Sequence, residues 1–267
     1  MNKYLRNFLL NSRVPLLAEW GARDLKKKHL KRHAAHQQEV FSKLYGSGNR
    51  IVVLNGPFKG MRYINEGVWG SITPKWIGSY ESELWPVISE VLARSYRRIV
   101  DVGCADGYYA VGFARALPDS TVLAYDLDAV SRDQVGRLWE LNGKPGSLHL
   151  ERWCDHASLM RHAGAESLVF CDIEGGEMGL LDPLKCEALR KSDILVEVHE
   201  TNKTTADKNA DELVARFTGT HSIQRILDTE TIPPLAAVDV LGGDALTKAC
   251  NEGRPYRQVW LWMKAGG

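Results

Sequence analysis

Residues 99–110, reading IVDVGCADGYYA, constrain the fold of this 267-residue chain more than any other stretch. An apolar run enters a turn bracketed by Gly103 and Gly107 and leaves it as the start of a helix, which is how a βαβ unit opens. Glycine at both ends lets the backbone approach a ligand closely, and Asp101 and Asp106 set carboxylates beside it. A dinucleotide turn would read G-x-G-x-x-G, whereas this one reads G-x-x-x-G with Asp106 inside, where a carboxylate would repel phosphate. A second acidic group, Asp126, ends the β-rich run 121–125, about 20 positions beyond the turn, where a carboxylate can accept both hydroxyls of a ribose. Together the two motifs predict a cofactor that offers a cation and a diol but no phosphate, although the spacing still permits an unusual nucleotide enzyme.

Strands and helices alternate from there on. Strands are expected near 98–103, 121–126, 147–152, 167–172 and 193–199, with a helix in every gap, the pattern of a parallel doubly wound sheet. A helix near 203–217 precedes two further strands at 221–227 and 257–263. The 228–256 stretch between them is far longer than an ordinary connection and reads as a lid or binding loop. Upstream, residues 1 to about 45 look helical and amphipathic, with a basic run from Arg23 to Arg32 joined by His29, His33 and His36. That run is either a solvated helical face or an anionic contact surface. Residues 46–73 turn β-like, with a hairpin around Asn55-Gly56-Pro57, and Ser79 or Ser82 is placed to cap a helix leading into the first strand. The expected division is therefore a helical and hairpin extension over 1–75 and a second unit over 76–267.

In this order the elements resemble the class I S-adenosylmethionine-dependent methyltransferases, and residues 168–183, LVFCDIEGGEMGLLDP, resemble the fourth-strand motif D-[VI]-E-G-x-E of the FkbM-like members through Asp172, Glu174, Gly175 and Glu177. The resemblance covers roughly residues 80–263. It implies an α/β, Rossmann-like doubly wound sheet of seven strands with the last antiparallel, S-adenosyl-L-methionine as cofactor, and O-methylation of a hydroxyl on a small molecule, sugar or natural product. It further implies a methionine pocket shaped by Asp101, Gly103 and Gly107, with Asp126 on the ribose and with Cys104, Asp106, Tyr108 and Asp172 also among the cofactor-binding residues. Asp155 would approach the adenine, although it could equally cap the helix that follows. Tyr80 and Glu81 would fold over the methionine end or serve the local helix start.

Ligands of a doubly wound sheet sit beyond the carboxyl ends of the parallel strands, which narrows the catalytic candidates. Asp172 and Glu174 close the fourth strand, and His199 and Glu200 the fifth. Asp172 is expected beside the transferred methyl, His199 is the preferred base because imidazole titrates near neutrality, and Glu200 is the reserve. Glu197, inside an apolar run on the face of His199, reads as structurally paired, and His221 is excluded by its place at the start of a strand. No metal is assigned, although Asp172, Glu174, His199 and Glu200 could gather Mg²⁺. Arg254 either holds an anionic substrate group or pairs with Glu252.

With 34 basic and 33 acidic residues the net charge is +1, which does not suggest a nucleic-acid partner. The five cysteines show no C-x-x-C pair, so reduced thiols and a cytoplasmic setting are expected, and Asn11 and Arg13 interrupt what would be a signal-peptide core. No apolar stretch approaches membrane-spanning length. The expected partner is a small-molecule or glycan acceptor, with a homo-oligomer left open. The competing readings are a domain that binds S-adenosylmethionine to regulate or scaffold a partner, a nucleotide-dependent oxidoreductase, and an RNA methyltransferase.

Overall fold

The computed structural model describes residues 35–48, 50–67, 70–229, 231–254 and 257–266. The basic run 23–32 lies outside them, as do Trp69 and the first 34 residues. Seven strands form one sheet: β1 (Arg98–Val102), β2 (Thr121–Tyr125), β3 (Ser147–Glu151), β4 (Ser167–Cys171), β5 (Asp193–Glu197), β6 (His221–Leu227) and β7 (Val259–Ala265). Their order is β3-β2-β1-β4-β5-β7-β6. The first five pair in parallel, and β7 runs antiparallel to both β5 and β6. This is the Rossmann-like sheet that the resemblance implied, with the direction of its last strand.

The central strands are apolar on both faces because helices cover both. Every residue of β4 and β5 is buried, as a parallel strand between two helical layers requires. One layer of core contains Phe113, Val122, Phe170 and Trp260, and the other contains Val100, Val169, Leu213 and Met263. The intervening helices are α3 (Tyr108–Ala116), α4 (Ala129–Leu141), α5 (His156–His162), α6 (Glu177–Leu180) and α7 (Ala206–Phe217), preceded by α1 (Thr73–Ile77) and α2 (Trp85–Leu92). Asp128, Asp155 and Thr205 cap α4, α5 and α7 through their side chains.

Three local expectations need correction. The strands β1 to β5 stop one or two residues early, because the residues after them turn outward to the site. The segment before β1 is a short 3₁₀ turn, Ser82–Leu84, followed by α2; neither Ser79 nor Ser82 supplies a side-chain cap. Pro86 in the first turn of α2 starts that helix, since it has no N–H to satisfy. The hairpin around 51–63 is short, with one antiparallel bridge, Val52 with Arg62, and with Val53 N, Tyr63 N and Gly60 N donating across it to Met61 O, Ile51 O and Val53 O. Ile51, Val53, Phe58, Met61 and Tyr63 are buried in the same core as α3 and the sheet.

The 228–256 excursion carries a 3₁₀ turn, Asp239–Leu241, and helix α8 (Gly243–Cys250). Val238, Leu241 and Ala249 anchor it in the core. Asn55 fastens three segments together: its amide donates to Ile77 O at 2.9 Å and Ala236 O at 3.0 Å, and its oxygen accepts from Ala236 N at 2.7 Å. Gly78 makes that junction fit, since a Cβ there would lie 2.1 Å from Asn55 O. No helix among the described residues is long and apolar enough to cross a membrane.

Candidate functional site

The carboxyl ends of β2, β1, β4 and β5 lie side by side, with the topological switch point between β1 and β4, and the acidic residues predicted from the sequence collect there. Gly103 fixes the geometry. Its φ is 92°, and a Cβ would stand 1.7 Å from Asp172 O, so only glycine lets the turn after β1 touch the end of β4. Gly103 N and Cys104 N both donate to Tyr125 O, and Gly107 N donates to Cys104 O, which ties the turn to β2. Ala105, with φ 46°, points its N–H at Asp126 Oδ2 at 2.9 Å. Only six described non-glycine residues have positive φ, and Glu81, Ala105 and Glu174 are three of them, all in the loops at this end of the sheet. Backbone strain of about 1–3 kcal/mol per residue concentrated in this way marks a functional site.

Asp101 is 1% exposed, and neither carboxylate oxygen has a hydrogen-bond partner among the described residues. Burial, followed by the charges of Asp126 and Asp172, pushes its carboxyl well above the ordinary range. Asp126 accepts from Ala105 N and Asp128 N, and burial raises it to about 7 against those two bonds. Two acids held at this cost, one of them without a donor, fit a ligand that brings a cation and hydroxyl donors.

Asp106 sits differently from its assigned place in a cofactor pocket. Both its oxygens are taken by Lys75 Nζ, at 2.7 and 2.8 Å, and the side chains are 1% and 4% exposed. Lys75 comes from α1 and also lies 4.6 Å from the centre of the Tyr80 ring. Tyr108 is buried among Phe58, Tyr63, Tyr80 and Tyr109, with its hydroxyl unpartnered. Asp155 realises the capping alternative: it is exposed and accepts from Ser158 N and Oγ, which hold its carboxyl below the usual range.

Tyr80 and Glu81 adjoin an ion cluster from the loop before β7. Arg254 donates to Glu252 at 2.8 Å and Glu83 at 2.8 Å and stands 3.4 Å from Glu81. Glu252 accepts from Glu81 N, and Tyr109 OH donates to Glu81. The pairing alternative for Arg254 is thus the one observed, with two more carboxylates than expected. Burial raises Glu252 to about 7 even against Arg254.

The ends of β4 and β5 meet at His199. Its Nδ1 donates to Glu177 Oε1 at 2.9 Å, and the same oxygen accepts from Gly175 N and Ile173 N. Its Nε2 faces Glu197 Oε1 at 3.6 Å, Asp172 Oδ1 at 3.7 Å and Glu174 Oε2 at 4.0 Å. The hydrogen bond to Glu177 and the surrounding carboxylates outweigh desolvation and raise His199 to about 10. The base role expected of His199 presumed an unperturbed imidazole, and here the carboxylates around it favour its protonated form. Glu200 is exposed and stands outside the ring of carboxylates that contacts His199. His221 bonds Ser192 O, at the opposite end of β5, as its exclusion required.

Glu177 and Glu197 were not among the predicted site residues. Both were visible: Glu177 closes the D-I-E-G-x-E match, and Glu197 shares the E-x-H alternation of a strand end with His199. Lys75 had no signal in the sequence, because its partner is 31 residues away.

No protein-family model matches this sequence, and none of the curated proteins does. Solved structures align at low identity. The O-methyltransferase TomG from Streptomyces achromogenes, in complex with SAM, shares 12% identity over 69% of this chain and 79% of its own, with a TM-score of 0.46. The human methyltransferase 10 domain containing protein shares 12% over 88% and 98%, with a TM-score of 0.46. An rRNA methylase from Streptococcus thermophilus shares 11% over 69% and 98%, with a TM-score of 0.44. At such values the likeness says nothing about chemistry, and the strand order itself defines the fold.

Proposed function

We propose that the protein is an S-adenosylmethionine-dependent methyltransferase that acts on a hydroxyl of a small molecule or glycan, in the manner of the FkbM-like enzymes that residues 172–177 resemble. The observation that carries this reading is the Asp101 carboxyl, buried with no donor beside Asp126 and Asp172 at the switch point of the sheet. S-adenosylmethionine, when bound, supplies an electrophilic methyl group on a sulfonium. Asp101 would meet its cationic methionine end, Asp126 its ribose, and the Gly103–Gly107 turn would allow the close approach.

The hydroxyl to be methylated would enter between Asp172 and His199. The proton of that hydroxyl would pass to a carboxylate gathered there, with Glu174 the exposed one, while Asp172 and His199 position the oxygen. Holding the reactants in line contributes about 7–11 kcal/mol, and a positioned base about 10²–10⁴ in rate. Tyr80, Glu81 and the loop fastened by Arg254 would close the acceptor side and exclude water.

Titration calorimetry with S-adenosylmethionine and S-adenosylhomocysteine tests the cofactor, with Asp126→Ala as the control. NAD belongs in the same series, since Lys75 cancels the Asp106 charge on which the exclusion of phosphate rested. Binding of either sulfur compound that Asp126→Ala abolishes supports the proposal; binding of NAD alone, or of none, ends it.

A further inference from the structure

We propose that Asp172, Glu197 and His199 form a binding site for one first-row divalent transition-metal ion. Asp172 Oδ1, a Glu197 carboxylate oxygen and a ring nitrogen of His199 all lie within 4.8 Å of one another. The 3.6 and 3.7 Å from Nε2 to the two carboxylates are too long for hydrogen bonds. They are close to the separation of roughly 3–3.7 Å between ligands bound about 2.1 Å from a shared ion.

Two further observations point to a ligand. Glu197 is 5% exposed with His199 Nε2 3.6 Å from its carboxylate, and Asp172 Oδ1 is buried with no hydrogen-bond partner among the described residues. The nearest cationic group to Glu197 is His199 itself, whose Nε2 stands 3.6 Å away. Arg254, the other cation near it, gives its hydrogen bonds to Glu252 and Glu83. The second is Glu177, 1% exposed, which holds the opposite nitrogen of His199 at 2.9 Å. A carboxylate on the far ring nitrogen holds the Nδ1 proton and aims Nε2 at the two acids, the arrangement that supports metal-ligating histidines; the ion would take the place of the Nε2 proton. Gly175 N and Ile173 N hold Glu177 Oε1 in turn, so the support is built from the same turn that ends β4.

One imidazole with two carboxylates selects among ions. The nitrogen favours Mn²⁺, Fe²⁺, Co²⁺ or Zn²⁺ over Mg²⁺, which prefers oxygen alone. The ion's role rests on the proposed methyl transfer: as a Lewis acid it would draw the acceptor hydroxyl and ease loss of its proton to Glu174, whose side chain is 83% exposed and reaches within 4.0 Å of Nε2.

The test is calorimetric titration of chelator-treated full-length protein with Mn²⁺, Co²⁺, Zn²⁺ and Mg²⁺, together with the visible spectrum of the Co²⁺ form. One ion per chain is expected, with Mg²⁺ at least tenfold weaker. His199→Gln and Glu197→Gln should each lower affinity at least a hundredfold. Glu177→Gln, which acts through His199, should lower it about 10–100-fold and alter the Co²⁺ spectrum. His149→Ala, on the edge strand β3, should bind as the parent does. Circular dichroism establishes that each variant folds. Less than a tenth of an ion per chain, or equal affinity in folded His199→Gln and Glu197→Gln, overturns the site. S-adenosylmethionine binding by the chelated protein is measured separately, so failure of the metal site and failure of the methyltransferase reading are distinguishable.

Discussion

The Lys75–Asp106 pair should be the costliest single interaction to break between α1 and the Gly103–Gly107 turn. Lys75 is 3% exposed and Asp106 1%, and the ammonium contacts both oxygens at 2.7 and 2.8 Å. Lys75→Met leaves a carboxylate buried without this cation, and Asp106→Leu leaves a buried ammonium facing the Tyr80 ring at 4.6 Å. Each should destabilise by about 3–5 kcal/mol, because the desolvation cost stays while the partner is gone. The double variant removes both charges and should lie within about 1–2 kcal/mol of the parent. Urea denaturation with an unchanged m value reads this directly, as midpoint shifts for the two single variants that largely vanish in the double. Single losses below about 1 kcal/mol, or a double loss equal to their sum, would show that the pair is solvated and that α1 does not anchor the turn.

Two pH effects follow from buried acids. Asp126 has its carboxyl raised to about 7 by burial, so the folded chain binds more protons than the unfolded one between about pH 4 and 7, and this group erodes stability as pH rises through that window. A ribose held by the ionised form should therefore bind S-adenosylmethionine more tightly at pH 8 than at pH 6, with proton release visible as buffer-dependent calorimetric heats; a flat profile would count against Asp126 as the ribose acceptor. Arg254→Met strands Glu81, Glu83 and Glu252, and should cost about 3–5 kcal/mol at pH 8. Since Glu252 is already raised to about 7, the loss should shrink at pH 5.5, where Glu252 carries a proton in the fold; thermal melts at both values decide it.

The sheet was legible because its signals are local. Continuous apolar runs, the Gly103–Gly107 turn and the spacing to Asp126 each report on neighbours in sequence, and all seven strands fall where the pattern put them to within two residues. The carboxylates at the strand ends were legible for the same reason. What failed was charge state and partnership, which depend on groups brought together from afar. His199 looked like a neutral base until Glu177, Glu197, Asp172 and Glu174 surrounded it, and Asp106 looked open to ligand until Lys75 arrived from α1. The hairpin around 51–63 kept its turn and a short stretch of pairing, and burial of Ile51, Val53 and Met61 in the core it shares with α3 and the sheet adds to what holds it.

The Asn55 junction bears on how such a protein can be diversified. A single amide ties the 51–63 segment, α1 and the chain after β6 through three hydrogen bonds. Shuffling the 228–256 loop alone from another scaffold would leave that amide facing a backbone of the wrong shape, with a buried donor and acceptor unmet at about 1–3 kcal/mol each. The region proposed to govern acceptor choice therefore travels as a cassette: a chimera that exchanges residues 51–78 together with 228–256 keeps the junction whole, and crossovers placed between them break it.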